Sequence, residues 1–365
     1  MSAFLGNDAE AVIRVDAGAA IGAGHFMRCL ALASALSKQG VKTSFLINKE
    51  TESFLKRRSD FFYDYYLVDC VDEIESIQDH TKKINLAFFI IDGYQFNERY
   101  RCSIRALCDA RLAKLVVLDD LNNSGNLYAD AVINPVNEAF NMGYELSAPN
   151  ASLFLGSDYV LLRPEFSKPD ADAFSLGHQR NQCVITFGAS DVAGFSLPLL
   201  NSLIEDSVLF DDQGSNASLL AVTGLESGQM KAVKLLSEQH PQKLKHAHNV
   251  LNMAEVMKNA RCVISAAGGT VFELAALGLP SILVVVADNQ LNAAKEQEKN
   301  GWCVVIDARR YMESGASKQK SIEEMVSVLR SIWNNQKNLH EMHKKAVNSA
   351  VYHGAEKVVT GLLAL

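Results

Sequence analysis

Ala11-Val12-Ile13-Arg14-Val15-Asp16 runs into Ile21-Gly22-Ala23-Gly24-His25, and Cys262-Val263-Ile264 runs into Ser265-Ala266-Ala267-Gly268-Gly269-Thr270. Each stretch reads as an apolar strand, a tight glycine turn and the opening of a helix. That geometry aims unpaired backbone N–H groups and the positive end of a helix at whatever lies above the turn. Two such anion-receiving turns, one near each end of the chain, suggest a phosphorylated ligand held between two domains. His25 sits on the first of them.

Working outward, short apolar runs alternate with helix-like stretches. Ala11–Asp16, Thr43–Ile47, Tyr65–Val68, Ala87–Asp92, Leu115–Asp119 and Ala131–Ile133 read as strands in the first half. Several are almost continuously hydrophobic, as strands buried on both faces of a parallel sheet should be. Phe26–Lys38 reads as a helix with Gly40 as its stop signal. In the second half Cys183–Phe187, Leu219–Val222, Arg261–Ile264, Ile282–Val286 and Val304–Ile306 repeat the rhythm. Leu161–Asp172, with two prolines and many charges, is the best linker, which places the junction at about 163–176. The expectation is α/β: two doubly wound Rossmann-like domains, 1–166 and 177–365, facing a cleft. The closing helical stretch, about Ser321–Leu365, either completes the second domain or crosses back to the first.

Composition narrows the function classes. At 365 residues, with 48% hydrophobic and 21% charged, the chain suits a two-domain globular protein. A formal charge of −7 argues against a nucleic-acid partner. No apolar run reaches the roughly 18–20 residues of a membrane span, and the start lacks the pattern of a signal peptide. Seven scattered cysteines without a C-x-x-C pair argue against a zinc site and a disulfide framework, so a reducing cytoplasm fits best. Cys29, Cys183, Cys262 and Cys303 read as small hydrophobes. The expected state is a monomer or small homo-oligomer, without metal or cofactor.

The first turn is a poor dinucleotide fingerprint. Met27 stands where G-x-G-x-x-G needs its third glycine, and no Walker A loop occurs. His25, following Gly24, either packs at the helix start or serves as a general base, imidazole being the side chain that titrates near neutrality. Asp16 at the strand end orients His25, binds a sugar hydroxyl or caps the turn. Arg14 and Arg28 pair with phosphate or with a neighbouring carboxylate. Asp92 and Tyr94 close the Ala87–Ile91 strand on the ligand side of the sheet and are candidate sugar contacts.

The second turn reads as a phosphate cradle, with Ser265, Ala267, Gly268, Gly269 and Thr270 around the anion and Glu273 placed to accept two ribose hydroxyls. Thr270 to Glu273 is also a capping box. Asp288, Asn289 and Gln290 open another helix and suit a sugar or phosphate neighbour, or an N-cap cluster. Gly188 and Ser190 lie in a third strand-end loop. Asp170-Ala171-Asp172 has D-x-D spacing but falls in the linker and reads as solvated charge.

Taken together these residues resemble the UDP-sugar hydrolases of pseudaminic acid biosynthesis, related to MurG-type GT-B glycosyltransferases. The resemblance rests on Arg14–Ala17, Ile21-Gly22-x-Gly24-His25-x-x-Arg28-Cys29, Leu162–Phe166, Phe187-Gly188-x-Ser190-Asp191, Asn252–Met257, Ile264–Pro280 and Asp288-Asn289-Gln290. It implies metal-free removal of UDP from UDP-2,4-diacetamido-2,4,6-trideoxy-β-L-altropyranose by water, with His25 catalytic and the Ser265–Glu273 turn as nucleotide site. The chain departs from the family at Gly93, where histidine is usual, and at Val192, where proline is usual.

UDP is a good leaving group, so a helix N-terminus stabilising its charge can stand in for a general acid. One base then suffices to deprotonate a water attacking C1 from the opposite face. Two rivals use the same donor site: an inverting glycosyltransferase, for which Phe54–Arg58 and Phe61-Phe62 offer a membrane-surface acceptor patch or simply a helix end, and a non-catalytic nucleotide-sugar sensor.

Overall fold

The computed structural model describes residues 8–19, 21–68, 72–166, 180–206, 209–210, 217–224, 227–311 and 315–365. The chain divides into two compact units, Met1–Pro164 with His353–Leu365, and Glu165–Tyr352. Most of the 163–176 linker, including Asp170 and Asp172, lies outside the described residues.

The first unit is built on seven parallel strands: β1 Ala9–Val15, β2 Lys42–Ile47, β3 Asp64–Leu67, β4 Asn85–Asp92, β5 Lys114–Leu118, β6 Ala131–Asn134 and β7 Ser152–Leu155. Their spatial order is β3-β2-β1-β4-β5-β6-β7. Every residue of β1 is buried, Glu10 and Arg14 included, as in a strand covered on both faces. Connections from β1 proceed outward one way and those from β4 the other, so the order reverses between these two strands. Val15 pairs with Asp92 and Asp92 with Leu118, leaving three strand ends level at that reversal. The crevice beyond the carboxyl ends at such a switch point is where open α/β sheets bind ligands.

Helix Gly24–Lys38 follows β1 and turns Phe26, Cys29, Leu32, Ala33 and Leu36 inward. Phe26 meets Phe45, Phe54 and Phe61 at centroid distances of 5.5, 6.0 and 5.8 Å, an aromatic cluster that fixes the helix on the sheet. The last helix, Gly354–Leu362, belongs to this unit and buries Ala355, Val358, Val359 and Leu362.

The second unit carries six parallel strands: β8 Gln182–Thr186, β9 Ser218–Thr223, β10 Leu244–His248, β11 Ala260–Ala266, β12 Ser281–Val285 and β13 Cys303–Asp307. The order β10-β9-β8-β11-β12-β13 reverses between β8 and β11. Strand alternation divides its core into two layers. Cys183, Ile185 and Ile264 face Leu199, Leu203, Met325 and Leu329, whereas Val184, Val263 and Leu283 face Val271, Leu274 and Trp302. The Trp302 indole donates to Gln297 Oε1 at 2.9 Å, so its buried N–H is satisfied.

Both units are therefore doubly wound α/β, as the sequence pattern implied. Two strands escaped the sequence reading: β7, with two of four residues exposed, and β10, Leu-Lys-His-Ala-His. Both are sheet edges; β7 is short, with one polar residue in four, whereas β10 is mostly polar, since an edge does not require an apolar run.

Candidate active site

The turn after β1 is closed by mutual backbone bonds between Gly18 and Gly22, N to O at 3.1 and 2.8 Å. Gly22 has φ +72°, a conformation that glycine adopts without strain. A Cβ at Gly24, the first helical residue, would meet nothing within 4 Å, so a ligand can approach the backbone there. His25 is thereby set in the first helical turn with its side chain 15% exposed, beside the switch point.

Its partner is Asp92 at the end of β4. Asp92 Oδ1 lies 2.7 Å from His25 Nδ1 and accepts from Arg28 Nη2 at 2.6 Å. Asp92 Oδ2 accepts from Arg28 Nε at 2.6 Å and from Cys29 Sγ at 3.4 Å. Burial alone would raise the carboxyl's pKa, but Arg28 and His25 carry it well below the usual carboxylate range. Nδ1 meets both an acceptor, Asp92 Oδ1 at 2.7 Å, and a donor, Arg28 Nη2 at 3.1 Å; the shorter contact, to Asp92, assigns the proton of a neutral His25 to Nδ1 and the lone pair to Nε2. Among the described residues Nε2 has no hydrogen-bond partner.

Arg28 bridges to a second carboxylate, donating from Nη1 to Asp120 Oδ1 at 2.6 Å. Burial opposes ionisation of Asp120 as well, yet Arg28 and His25 hold its pKa below the ordinary value. Tyr94 donates its hydroxyl to Asp120 and sets its ring edge-on to His25, centroids 4.8 Å apart. His25, Arg28, Asp92 and Tyr94, with Phe96, Arg101, Asp119 and Ser124, line a cavity of about 70 Å³, room for a few waters.

Asp16 does not orient His25. Its Oδ1 accepts from Arg14 Nη1 at 2.6 Å and the Asn48 amide at 3.0 Å, and its Oδ2 accepts from Gln95 Nε2 at 3.0 Å. Arg14 also donates to Glu73 at 2.6 Å, lies 4.7 Å over the Phe96 ring and is 3% exposed. Both are spent on fixing the end of β1. Asp92, read as a sugar contact, has no exposure and instead carries His25. Asp120 was missed, although its place just past β5, next to the switch point, was a usable signal.

In the second unit the loops after β8 and β11 flank the reversal. Gly188 has φ +80°, and a Cβ at Gly188, Gly268 or Gly269 would meet nothing within 4 Å. These three glycines, from two loops, thus leave open space. Ser265 is buried and donates to the Ala266 carbonyl, and the Ala267 N–H is taken by Val284. Helix Thr270–Ala276 is capped at Gly269 without a side-chain bond, so the Thr270–Glu273 capping box does not form. Ser190 is half-buried in the β8 loop. Ala287, not Asp288, holds the next cap position, and Asp288 pairs with Arg309 at 2.5 Å. Gln290 accepts from the Val286 N–H at 2.9 Å, and Asn289 is half-buried beside it. In the basic patch, Phe54 and Leu55 are buried and Arg58 pairs with Asp60, while Phe62 is 87% exposed.

Residues 195–358 match the glycosyltransferase family 28 C-terminal domain. The chain is 30% identical over 283 residues to the uncharacterized protein MJ1062 of Methanocaldococcus jannaschii, covering 76% of this chain and 56% of that one. It is 25% identical over 288 residues to the spore coat polysaccharide biosynthesis protein SpsG of Bacillus subtilis, covering 78% and 79%. A third relative is the Helicobacter pylori pseudaminic acid cytidylyltransferase and UDP-2,4-diacetamido-2,4,6-trideoxy-β-L-altropyranose hydrolase, 24% identical over 287 residues. There the match covers 77% of this chain and 45% of the relative. The chain therefore spans about half the length of the first and third of these proteins.

Among solved structures, Acinetobacter baumannii MurG aligns over 98% of this chain and 100% of its own, with TM-score 0.64 and 17% identity. The spinosyn rhamnosyltransferase SpnG complexed with thymidine diphosphate aligns over 96% and 99%, with TM-score 0.60 and 11% identity. The two parallel-sheet units are thus a GT-B-like fold, whose second half matches the family 28 C-terminal domain.

Proposed function

We propose that the protein hydrolyses a nucleotide sugar, releasing UDP from UDP-2,4-diacetamido-2,4,6-trideoxy-β-L-altropyranose or a close analogue in a nonulosonate pathway. Water attacks C1 and the anomeric configuration inverts. The reading assigns the diphosphate to the open glycines Gly188, Gly268 and Gly269, the ribose to Glu273, and water activation to His25. It is supported by the name of the Helicobacter pylori relative, by the family 28 match and, above all, by one observation: the buried, ionised Asp92 on His25 Nδ1. A carboxylate there fixes the tautomer and stabilises the imidazolium that forms when Nε2 takes the water's proton. The growing charge on UDP is met by backbone N–H groups at Gly268–Gly269, so departure needs no proton.

The test supplies UDP-linked amino sugars without any acceptor and follows UDP release together with the anomer of the free sugar by NMR. Inverted free sugar is the expected product. Turnover only when an acceptor hydroxyl is added would replace the hydrolase reading with the second one, an inverting glycosyltransferase, which the family 28 match favours. Tight UDP-sugar binding without turnover under either condition would leave a binding protein.

A further inference from the structure

Arg28 is a single cation held between two carboxylates, Asp92 and Asp120, and only one of them touches the imidazole. Were Asp120 absent, the bidentate pairing of Arg28 Nε and Nη2 with Asp92 would make a neutral pair, and His25 would face no net charge. With Asp120 present the cluster of one cation and two anions carries a net negative charge toward His25. We propose that Asp120 is a positioning residue for His25, acting through Arg28 to leave the Asp92 charge uncompensated at the imidazole.

The geometry places Asp120 to do this and little else. Its side chain is 14% exposed, and its oxygens accept from Arg28 at 2.6 and 3.4 Å and from the Tyr94 hydroxyl. The groups around His25 come from four elements. Arg28 and Cys29 lie on its own helix, Asp92 and Tyr94 at the end of β4, Asp119 and Asp120 beyond β5, and Arg101 on helix Glu98–Arg111, its guanidinium donating to the Phe96, Ser124 and Asn126 carbonyls. Asp119 lines the same cavity but is not bonded to Arg28: its Oδ2 accepts from the Leu121 and Asn122 amides at 3.2 and 2.7 Å and from the Tyr144 hydroxyl at 2.5 Å. Cys29, driven up by burial and by Asp92, stays a neutral thiol. Asp120 is therefore the second negative charge in the cluster. Tyr94, which lines the cavity, and Arg28 both donate to Asp120, so the anion is held in place.

This inference rests on the proposed base role of His25, and its test separates the two. The His25 ring signal, identified by its loss in His25→Asn, is titrated by NMR in the parent protein, in Asp120→Asn and in Tyr94→Phe. Removing the negative charge should lower the imidazole midpoint in Asp120→Asn relative to the parent. Tyr94→Phe removes the same hydroxyl contact but no charge and should leave the midpoint near the parent value. In turnover assays the acid limb of kcat should move to lower pH by the same amount in Asp120→Asn, with the plateau several-fold lower because a weaker base remains. An unmoved midpoint in folded Asp120→Asn, with unchanged circular dichroism, overturns the inference while leaving His25 as base. A shifted midpoint with unchanged kcat in His25→Asn keeps the electrostatic claim and removes the base role instead. Equal shifts in Asp120→Asn and Tyr94→Phe would show a packing effect and also overturn it.

Discussion

Asp92 Oδ1 and His25 Nδ1 are 2.7 Å apart, joining the end of β4 to the first turn of the helix that follows β1. The carboxylate has no solvent exposure. Water cannot take its place, and Arg28 Nη2 lies 3.1 Å from the same Nδ1, so this ring nitrogen is held by protein groups alone. The chemistry proposed for His25 therefore depends on a residue that need not touch substrate.

Asp92→Asn keeps the side-chain shape but sets an amide N–H against Arg28, which donates to both Asp92 oxygens. An amide nitrogen facing Nδ1 donates, which puts the lone pair on Nδ1 and the proton on Nε2, the wrong tautomer for a base. The expected loss in kcat is about 10²–10⁴-fold, with UDP affinity by calorimetry unchanged. His25→Asn should lose turnover by a comparable factor and likewise still bind UDP. Full activity in either variant would remove the pair from the reaction.

Acid should destabilise the protein in a way that Asp92 partly sets. A carboxyl whose folded pKa lies below its unfolded value, about 3.9, binds fewer protons folded than unfolded. Its contribution is fully present above about pH 5 and is lost as pH falls toward the depressed folded pKa. Asp92 and Asp120 both fall in this class, held down by Arg28 against the opposing effect of burial. Urea unfolding from pH 6 to pH 2.5 should show parent stability dropping below about pH 4. In Asp92→Asn the slope should be shallower and the stability at neutral pH lower. Parallel slopes would mean that other carboxylates govern acid unfolding.

Much of this was legible in the chain. Continuous apolar runs announced β1, β4, β11 and β12, and Gly22 and the Gly268–Gly269 pair marked turns that leave backbone open. His25 was found because it follows such a turn directly. The Asp92 role was not legible, because strand ends near a switch point bring together residues 67 positions apart, and only the sheet order shows which ends are adjacent. Asp16, nearer in sequence, looked the better partner until Arg14, Asn48 and Gln95 were seen to occupy it. The edge strand β10 was hidden for a simpler reason: a strand open on one side carries polar residues such as Lys245 and His248 without penalty.

The glycines of the second unit offer a test that separates binding from folding. A Cβ at Gly268 or Gly269 meets empty space and neither residue needs a positive φ. Gly268→Val and Gly269→Val should fold with melting temperatures near the parent's, yet weaken UDP binding about tenfold or more if phosphate approaches this backbone. Gly224→Ala is the opposite case, since its Cβ would lie 2.3 Å from the Ala189 backbone. That variant should lose about 1–3 kcal/mol of stability. Unchanged UDP affinity in both valine variants would move the diphosphate elsewhere.

The final helix invites a prediction about which unit depends on it. A Cβ at Gly354 would lie 2.2 Å from the Val160 carbonyl oxygen, and one at Gly361 would lie 2.2 Å from the Phe154 ring. Glycine at both positions is what lets Gly354–Leu362 seat against the segment running from β7 to Val160. Ion pairs of Lys357 with Asp158 at 3.0 Å and Lys38 with Glu356 at 3.4 Å add little at such exposed sites. The seating is therefore steric and apolar, through Val358, Val359 and Leu362. Gly354→Ala sets a methyl against backbone that cannot swing aside, and should cost about 1–3 kcal/mol, or about 5 °C in melting temperature. Gly361→Ala meets a ring that can tilt, so its loss should be the smaller. Limited proteolysis should cut Gly354→Ala near Val351–His353 faster than the parent. A parent-like melting temperature and cleavage rate in Gly354→Ala would show that the helix is not clamped against Val160.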